Sequence, residues 1–212
     1  MNIPVVYEDD WLCVVDKPAG LVVIPTPRHE QRTLTSILNE DLKEKGISYR
    51  LHPCHRLDRE TSGLIIYAKG KSTQQKMMLE FKQRKIKKTY VAFIAGAPSR
   101  NEGQINLPID GQEAITKYKT IEKIKDFAVV EVYPLTGRTN QIRIHFKHIG
   151  HPILGERKYA FRRDFKIKAK RLCLHAKALS FTHPMTGAPI HVHLPLAADM
   201  QSFLENHTKA GS

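Results

Sequence analysis

Cysteine is scarce and unpaired in this sequence: Cys13, Cys54 and Cys173 lie far apart, and none belongs to a Cys-x-x-Cys pair. That speaks against a disulfide framework and a cysteine zinc site, and favours reduced thiols in a cytoplasm. Hydrophobic runs are short as well. No stretch approaches the ~18 consecutive apolar residues of a membrane span, and Met1-Asn2-Ile3-Pro4 is not a basic segment leading into an apolar one, so neither insertion nor secretion is expected. Acidic residues are the minority: 21 Asp and Glu stand against 34 Lys and Arg, and the resulting net charge of +13 is spread along the chain. A surface suited to a polyanion follows. Gly/Ser/Pro-rich linkers, low-complexity blocks and repeats are also missing, so one domain over residues 1–212 is the simplest expectation, with residues from about 205 to 212 as a disordered tail.

A chain of 212 residues removes roughly 70% of its unfolded surface from water on folding, enough for a core without covalent staples. Apolar runs at residues 11–15 and 21–24, on either side of Asp16-Lys17-Pro18-Ala19-Gly20, read as two strands joined by a tight turn. Leu34, Ile37, Leu38 and Leu42 share one helical face, begin after Thr33 as cap and stop near Gly46. Residues 63–68 suit a buried strand. Ser72-Thr73-Gln74-Gln75 has a capping-box pattern for a helix carrying Met77, Met78 and Phe81, the methionines serving as core filler. Strands then dominate, at 89–95, 103–107, 114–121, 127–133, 172–181 and 189–194. Residues 141–146 fit both periodicities, and Gly150 as a C-terminal stop decides for helix. Runs of strands with few helices describe an α+β fold with a largely antiparallel sheet.

The segment His55-Arg56-Leu57-Asp58-Arg59-Glu60-Thr61-Ser62-Gly63 places one carboxylate between two arginines, immediately before an apolar strand. In a charged loop such a group is either a solvated ion pair or an ionised nucleophile or base. A glycoside hydrolase normally needs a second carboxylate, and a loop gives Glu60 no reason to converge with Asp58. Two other candidates are weak. Gly70-Lys71-Ser72 resembles the end of a phosphate loop, but Ile65 stands where the earlier glycine is required. The pairs His145 with His148 and His191 with His193 belong to no metal-binding array. Basic residues are densest at Lys82, Arg84, Lys85, Lys87 and Lys88, with a second group at Arg162, Arg163, Lys166, Lys168, Lys170 and Arg171.

Several stretches now stand in order: Val14-Val15-Asp16-Lys17-Pro18-Ala19-Gly20-Leu21, His55-Arg56-Leu57-Asp58 with Thr61-Ser62-Gly63-Leu64, and Lys87-Lys88-Thr89-Tyr90-Val91-Ala92. They continue with Thr136-Gly137-Arg138, Gln141-Ile142-Arg143-Ile144-His145 and Gly150-His151-Pro152-Ile153-Leu154-Gly155. On these the sequence resembles, over nearly its whole length, the RluA family of pseudouridine synthases, enzymes that isomerise uridine within RNA. The resemblance implies Asp58 as the catalytic aspartate, Tyr90 as the aromatic lining the uracil pocket, Arg143 as the cation paired with the aspartate, and Arg56 as the residue entering the space left by a flipped base. It also implies a single catalytic domain whose bent, mostly antiparallel mixed sheet, flanked by helices and loops, surrounds a central RNA-binding cleft. No metal, no cofactor and no nucleotide is implied. Without the resemblance, Arg143 reads as a surface cation at a helix start and Tyr90 as an ordinary strand tyrosine.

An isomerase of this kind asks for less than a hydrolase. Uracil leaves as a delocalised anion and no water is consumed, so one carboxylate suffices, whether it adds to the pyrimidine, attacks the anomeric carbon or abstracts a sugar proton. Each route wants the carboxylate ionised. An Arg⁺ about 4 Å away contributes roughly 4 kcal/mol at an effective dielectric near 20, enough to offset a desolvation shift of around three pKa units. The expected partner is structured RNA, ribosomal first and transfer RNA next, held by Lys82, Arg84, Lys85, Lys87, Lys88 and Arg138 on a monomer. A non-enzymatic RNA-binding factor on the same scaffold is the alternative. Two departures from the family stand out: Asn140, where a histidine commonly precedes the Gln-x-Arg element, and a short connection at 108–113, where relatives often carry a longer basic insertion that bears on RNA choice. No extra RNA-binding module precedes the first strand, so recognition is expected from the catalytic domain itself.

Overall fold

Thr33 starts the first helix by a reciprocal exchange: its hydroxyl accepts from the Ser36 N–H at 3.1 Å, and its own N–H donates to the Ser36 hydroxyl at 3.0 Å. The structure, a computed structural model, describes residues 1–26, 30 and 32–208. In chain order the elements are β1 (Val5–Glu8), β2 (Leu12–Lys17), α1 (Leu34–Glu44), β3 (Leu51–Pro53), β4 (Ser62–Lys69), α2 (Lys71–Lys82) and β5 (Lys87–Ala95). There follow β6 (Glu102–Asn106), β7 (Ile115–Ile124), β8 (Phe127–Pro134), α3 (Gln141–His148), β9 (Leu174–Thr182), β10 (Pro189–His193) and α4 (Ala198–Thr208). They pack as two units, Met1–Lys87 with Ala178–Leu194, and Lys88–Lys177 with Pro195 onward.

In the first unit β4 is central, pairing antiparallel with β2 and with β3, while β1 pairs antiparallel with β2. Leu64 through Ala68 are fully buried, which is why that run is apolar without alternation. Residues 21–24, expected as a strand, are irregular. Val22 and Val23 are buried, but their carbonyls accept from the Leu34 and Thr35 N–H groups at 2.8 and 3.1 Å. The segment thus satisfies the first turn of α1 instead of a sheet neighbour. Helix α2 begins one residue before the expected capping box, from Gly70 at φ 129°, and no side chain caps it. Met77 is core filler as expected, but Met78, a further 100° round the helix, is 52% exposed.

In the second unit β5, β8, β7 and β6 pair antiparallel in that order. Helix α3 covers one face: Ile142 and Phe146 join a core with Ala92, Val130 and Val132, and Phe146 meets Tyr118 edge-on at 5.6 Å. Residues 141–146 are helical, as Gly150 at φ 80° suggested. Helix α4 sets Phe203 against Phe93 and Phe127 at 6.0 and 5.6 Å. Residues 205–208, expected in the tail, form its last turn because this aromatic cluster and the Thr208 hydroxyl bond to the Leu204 carbonyl hold it; residues 209–212 lie outside the described residues. Among the described residues, four α-helices and a mostly antiparallel set of strands make this an α+β fold, and no described helix is long and apolar enough to cross a membrane.

Candidate active site

Asp58 sits in the first unit, on the loop between β3 and β4, and the loop is held mainly by backbone. The Cys54 N–H donates to the Ile66 carbonyl at 2.9 Å, and the Ile66 N–H donates to His55 Nε2 at 3.0 Å, fixing a ring that packs on Phe81. Leu57 is buried beneath the loop, and the Thr61 N–H returns to the Asp58 carbonyl at 3.1 Å to close a turn. The next carbonyl, that of Arg59, accepts from the Gly20 N–H at 2.7 Å and from Lys17 Nζ at 3.1 Å. Lys17 is itself fully buried and also donates to the carbonyls of Pro18 and Leu21 at 2.9 and 2.6 Å. One ammonium thereby ties the Pro18–Leu21 turn to the backbone one residue beyond Asp58, which explains why the Asp16-Lys17-Pro18 stretch and the aspartate motif occur together.

Asp58 is half-buried and Arg56 beside it is exposed. The second flanking arginine is turned elsewhere, since Arg59 pairs with Glu30. The Thr26 N–H and hydroxyl, then Arg59, bring the Glu30 carboxyl down to about 2. The three cysteines are unsuited to nucleophilic work: burial pushes the thiols of Cys13, Cys54 and Cys173 up to about 12.

The second unit carries Tyr90, Arg138 and Arg143. Tyr90 lies on β5 opposite Val132, half-buried against the core, and Lys88 shares its strand face two residues earlier. Lys88 differs from Lys82, Arg84, Lys85 and Lys87, which are all exposed. Its Nζ turns inward to the Thr136 carbonyl at 3.4 Å, and burial pushes its pKa below the usual lysine value. Of the exposed group, Lys85 pairs with Glu80 at 3.4 Å. The Thr136-Gly137-Arg138 loop is built around Gln141. Its Oε1 accepts from the Thr136 hydroxyl at 2.7 Å and the Arg138 N–H at 3.0 Å, and its Nε2 donates to the Ile115 carbonyl and Thr116 hydroxyl, each at 3.0 Å. Arg138 is half-buried and donates through Nε to the Glu113 carbonyl at 3.0 Å.

Arg143 is no surface cation, being only 6% exposed. Its Nε and Nη2 donate to Glu156 Oε2 and Oε1 at 2.6 and 2.8 Å, and Nη1 donates to Asn140 Oδ1 at 2.9 Å. Asn140 Nδ2 donates in turn to the Tyr159 hydroxyl at 2.9 Å, and the guanidinium lies 5.4 Å from the centre of the Tyr159 ring. Asn140 adopts φ 55°, a left-handed conformation that asparagine tolerates better than most residues, and from there it starts α3. Burial works to raise the Glu156 carboxyl, but Arg143 and the N–H groups of Lys158 and Tyr159 outweigh it and hold it below the usual range. A planar cation clamped on two edges is a rigid donor for an anion. Glu156 was not anticipated. The signal for it was present: an arginine on an apolar helix face requires a counter-ion, and an acid follows Gly155 directly.

Comparison with known proteins gives a consistent result. A family model described as RNA pseudouridylate synthase matches residues 11–148. An uncharacterised RNA pseudouridine synthase of Bacillus subtilis, YlyB, is 35% identical over 228 aligned positions that take in 100% of this chain and 75% of that protein. A dual-specificity RNA pseudouridine synthase of Haemophilus influenzae, RluA, is 35% identical over 202, covering 86% of this chain and 88% of that one. Among solved structures, human RNA pseudouridylate synthase domain containing 4 superposes with a TM-score of 0.82 at 25% identity, over 96% of this chain and 92% of its own.

Proposed function

This chain belongs to the RNA pseudouridylate synthase family and isomerises uridine to pseudouridine in RNA, and we propose that Asp58 is the group that acts on the uridine. In the reaction the N1–C1′ bond of the nucleoside breaks, a C5–C1′ bond forms, the C5 proton leaves and N1 takes one up, so no water is consumed. A carboxylate on a backbone-tethered turn suits this chemistry. Its loop is fixed by Lys17 and by the Gly20 N–H, which limits the freedom the carboxylate loses on meeting substrate. Tyr90 is assigned to the uracil pocket and Arg143 to holding Asp58 ionised. Both assignments rest on the motifs.

A uridine stacked in RNA cannot offer its glycosidic bond to a protein carboxylate, so the nucleotide turns out of the stack at a cost of a few kcal/mol. Arg56, exposed and two residues before Asp58, is assigned to take its room. Lys82, Arg84, Lys85 and Lys87 are assigned to flanking phosphates; Lys88 and Arg138, both half-buried, are assigned to the RNA nearer the target. The target class is ribosomal RNA first and transfer RNA second, and a relative called dual-specificity fits an enzyme accepting more than one RNA. A cytoplasmic monomer acting on structured RNA completes the reading.

The observation that carries it is the family match running through the Asp58 loop. The test is Asp58→Asn, which removes charge without changing shape. Pseudouridine formation falls to background while RNA affinity stays within a few-fold; turnover retained in that variant removes Asp58 from the role.

A further inference from the structure

Between Glu156 and Arg171 the chain makes an excursion closed at its neck. Gly155, at φ +79°, lies so near the opposite strand of the neck that a Cβ there would stand 1.9 Å from the Arg171 carbonyl oxygen. Arg157 Nη2 donates across to the Lys170 carbonyl at 3.2 Å. Inside this neck lie seven cations, Arg157, Lys158, Arg162, Arg163, Lys166, Lys168 and Lys170, and one carboxylate, Asp164. That carboxylate is committed: it accepts from Lys147 Nζ at 2.7 Å and from the Phe161 N–H at 2.9 Å. A short segment therefore carries a large part of the chain's positive excess with little to offset it within the segment, and from outside it Asp126 Oδ1 lies 3.9 Å from Lys166 Nζ.

The excursion is also ordered before any ligand arrives. Ala160 is buried, and Phe165, Ile167 and Ala169 pack against the core of the second unit, while Lys166, Lys168 and Lys170 between them are exposed. Inward and outward residues alternate here, with the Cα atoms of successive outward residues no more than about 7 Å apart. Three exposed ammonium groups in such close succession suit a phosphodiester backbone, and a segment already packed against the core loses little entropy on binding. Ahead of it, Phe161 is 66% exposed with the Arg163 guanidinium 5.2 Å from its ring centre. An exposed aromatic backed by arginine is a stacking platform for an unpaired base. The platform lies two residues from Tyr159, which touches the Arg143 clamp.

We propose that the 157–170 excursion is a second RNA-binding surface, gripping RNA that flanks the target uridine, with phosphates on Arg162, Lys166, Lys168 and Lys170 and one unpaired base on Phe161. The proposal rests on the reading that the substrate is RNA, and it adds a recognition element to the basic group of residues 82–87. The alternative is a solvated loop that keeps the protein soluble.

The test uses the full chain, an unmodified transfer-RNA transcript and a short uridine-containing single strand as probes. In the Lys166→Ala/Lys168→Ala/Lys170→Ala variant, the slope of log affinity against log salt on the single strand falls by about 2, at about 0.7 per lost phosphate contact. Phe161→Ala leaves that slope alone and weakens binding of the single strand roughly five- to 150-fold, the equivalent of about 1–3 kcal/mol of stacking, and Phe161→Trp restores it. Melting temperatures stay near that of the parent, since every altered side chain points outward. An unchanged slope in the triple variant overturns the phosphate contacts, and an affinity within twofold of the parent for Phe161→Ala overturns the platform. Both readouts measure binding alone, so a failure of the Asp58 assignment shows as turnover in Asp58→Asn and leaves these results standing.

Discussion

Glu156→Gln isolates the charge of the Arg143 clamp. The amide keeps the shape of the side chain and an oxygen for the Lys158 and Tyr159 N–H groups, but it sets an NH₂ where one edge of the guanidinium now donates. The side chains of Arg143 and Glu156 are 7% and 0% exposed, so water cannot take over. Breaking a buried pair by removing one partner costs about 3–5 kcal/mol. For a chain of this size each kcal/mol lowers the melting temperature by about 2–4 °C, giving a drop of roughly 6–20 °C. The double variant Arg143→Met/Glu156→Gln removes the cation as well and recovers most of that loss while remaining inactive. Thermal melts and urea titrations read the stability, and single-turnover isomerisation reads the activity. A single variant that melts like the parent refutes the clamp as a buried pair, and a double variant no more stable than the single shows that packing, not charge, is what was lost. Acid adds a further check. The Glu156 carboxyl lies below its ordinary value of 4.5, so its contribution is complete above that pH and disappears as pH falls through the depressed folded value; in the double variant this acid-sensitive part is missing.

Lys17→Met takes the ammonium donor from the Pro18 and Leu21 carbonyls and leaves the Arg59 carbonyl with the Gly20 N–H, at about 1–3 kcal/mol for each acceptor stranded; melts fall and kcat drops with little change in RNA affinity, and normal turnover would detach Lys17 from the Asp58 loop. His175 is buried with Nε2 3.1 Å from the Pro195 carbonyl, and burial brings its pKa down to about 4 from 6.5. As pH falls below 6.5 the unfolded chain takes up this proton first, so stability declines between pH 6.5 and about 4, by about 2 kcal/mol between pH 6.5 and 5; urea titrations at those two pH values detect it, and His175→Gln, which keeps a donor, flattens the difference.

Local patterns were read correctly where a single element accounts for them. Thr33 caps α1, the apolar run of β4 is buried throughout, and α3 ends before Gly150. Misreadings arose where a distant segment made the decision. Residues 21–24 have strand-like composition, yet α1 uses their carbonyls. Lys88 counted as one more surface lysine until the Thr136 carbonyl was seen to accept from it. Arg59 stands next to Asp58 in sequence while its side chain goes to Glu30.

The motifs that nominate Asp58, Tyr90 and Arg143 are legible in sequence because they are contiguous, and contiguity survives without coordinates. The same holds for fold class, since strand and helix periods are properties of a few neighbouring residues. Which groups hold those residues in place depended on tertiary structure alone. Glu156 lies thirteen residues from Arg143, and Arg59 forty-two from Lys17. A buried charge is stable only beside its partner, and folding, by excluding water, selects that partner from chain segments that no local pattern connects.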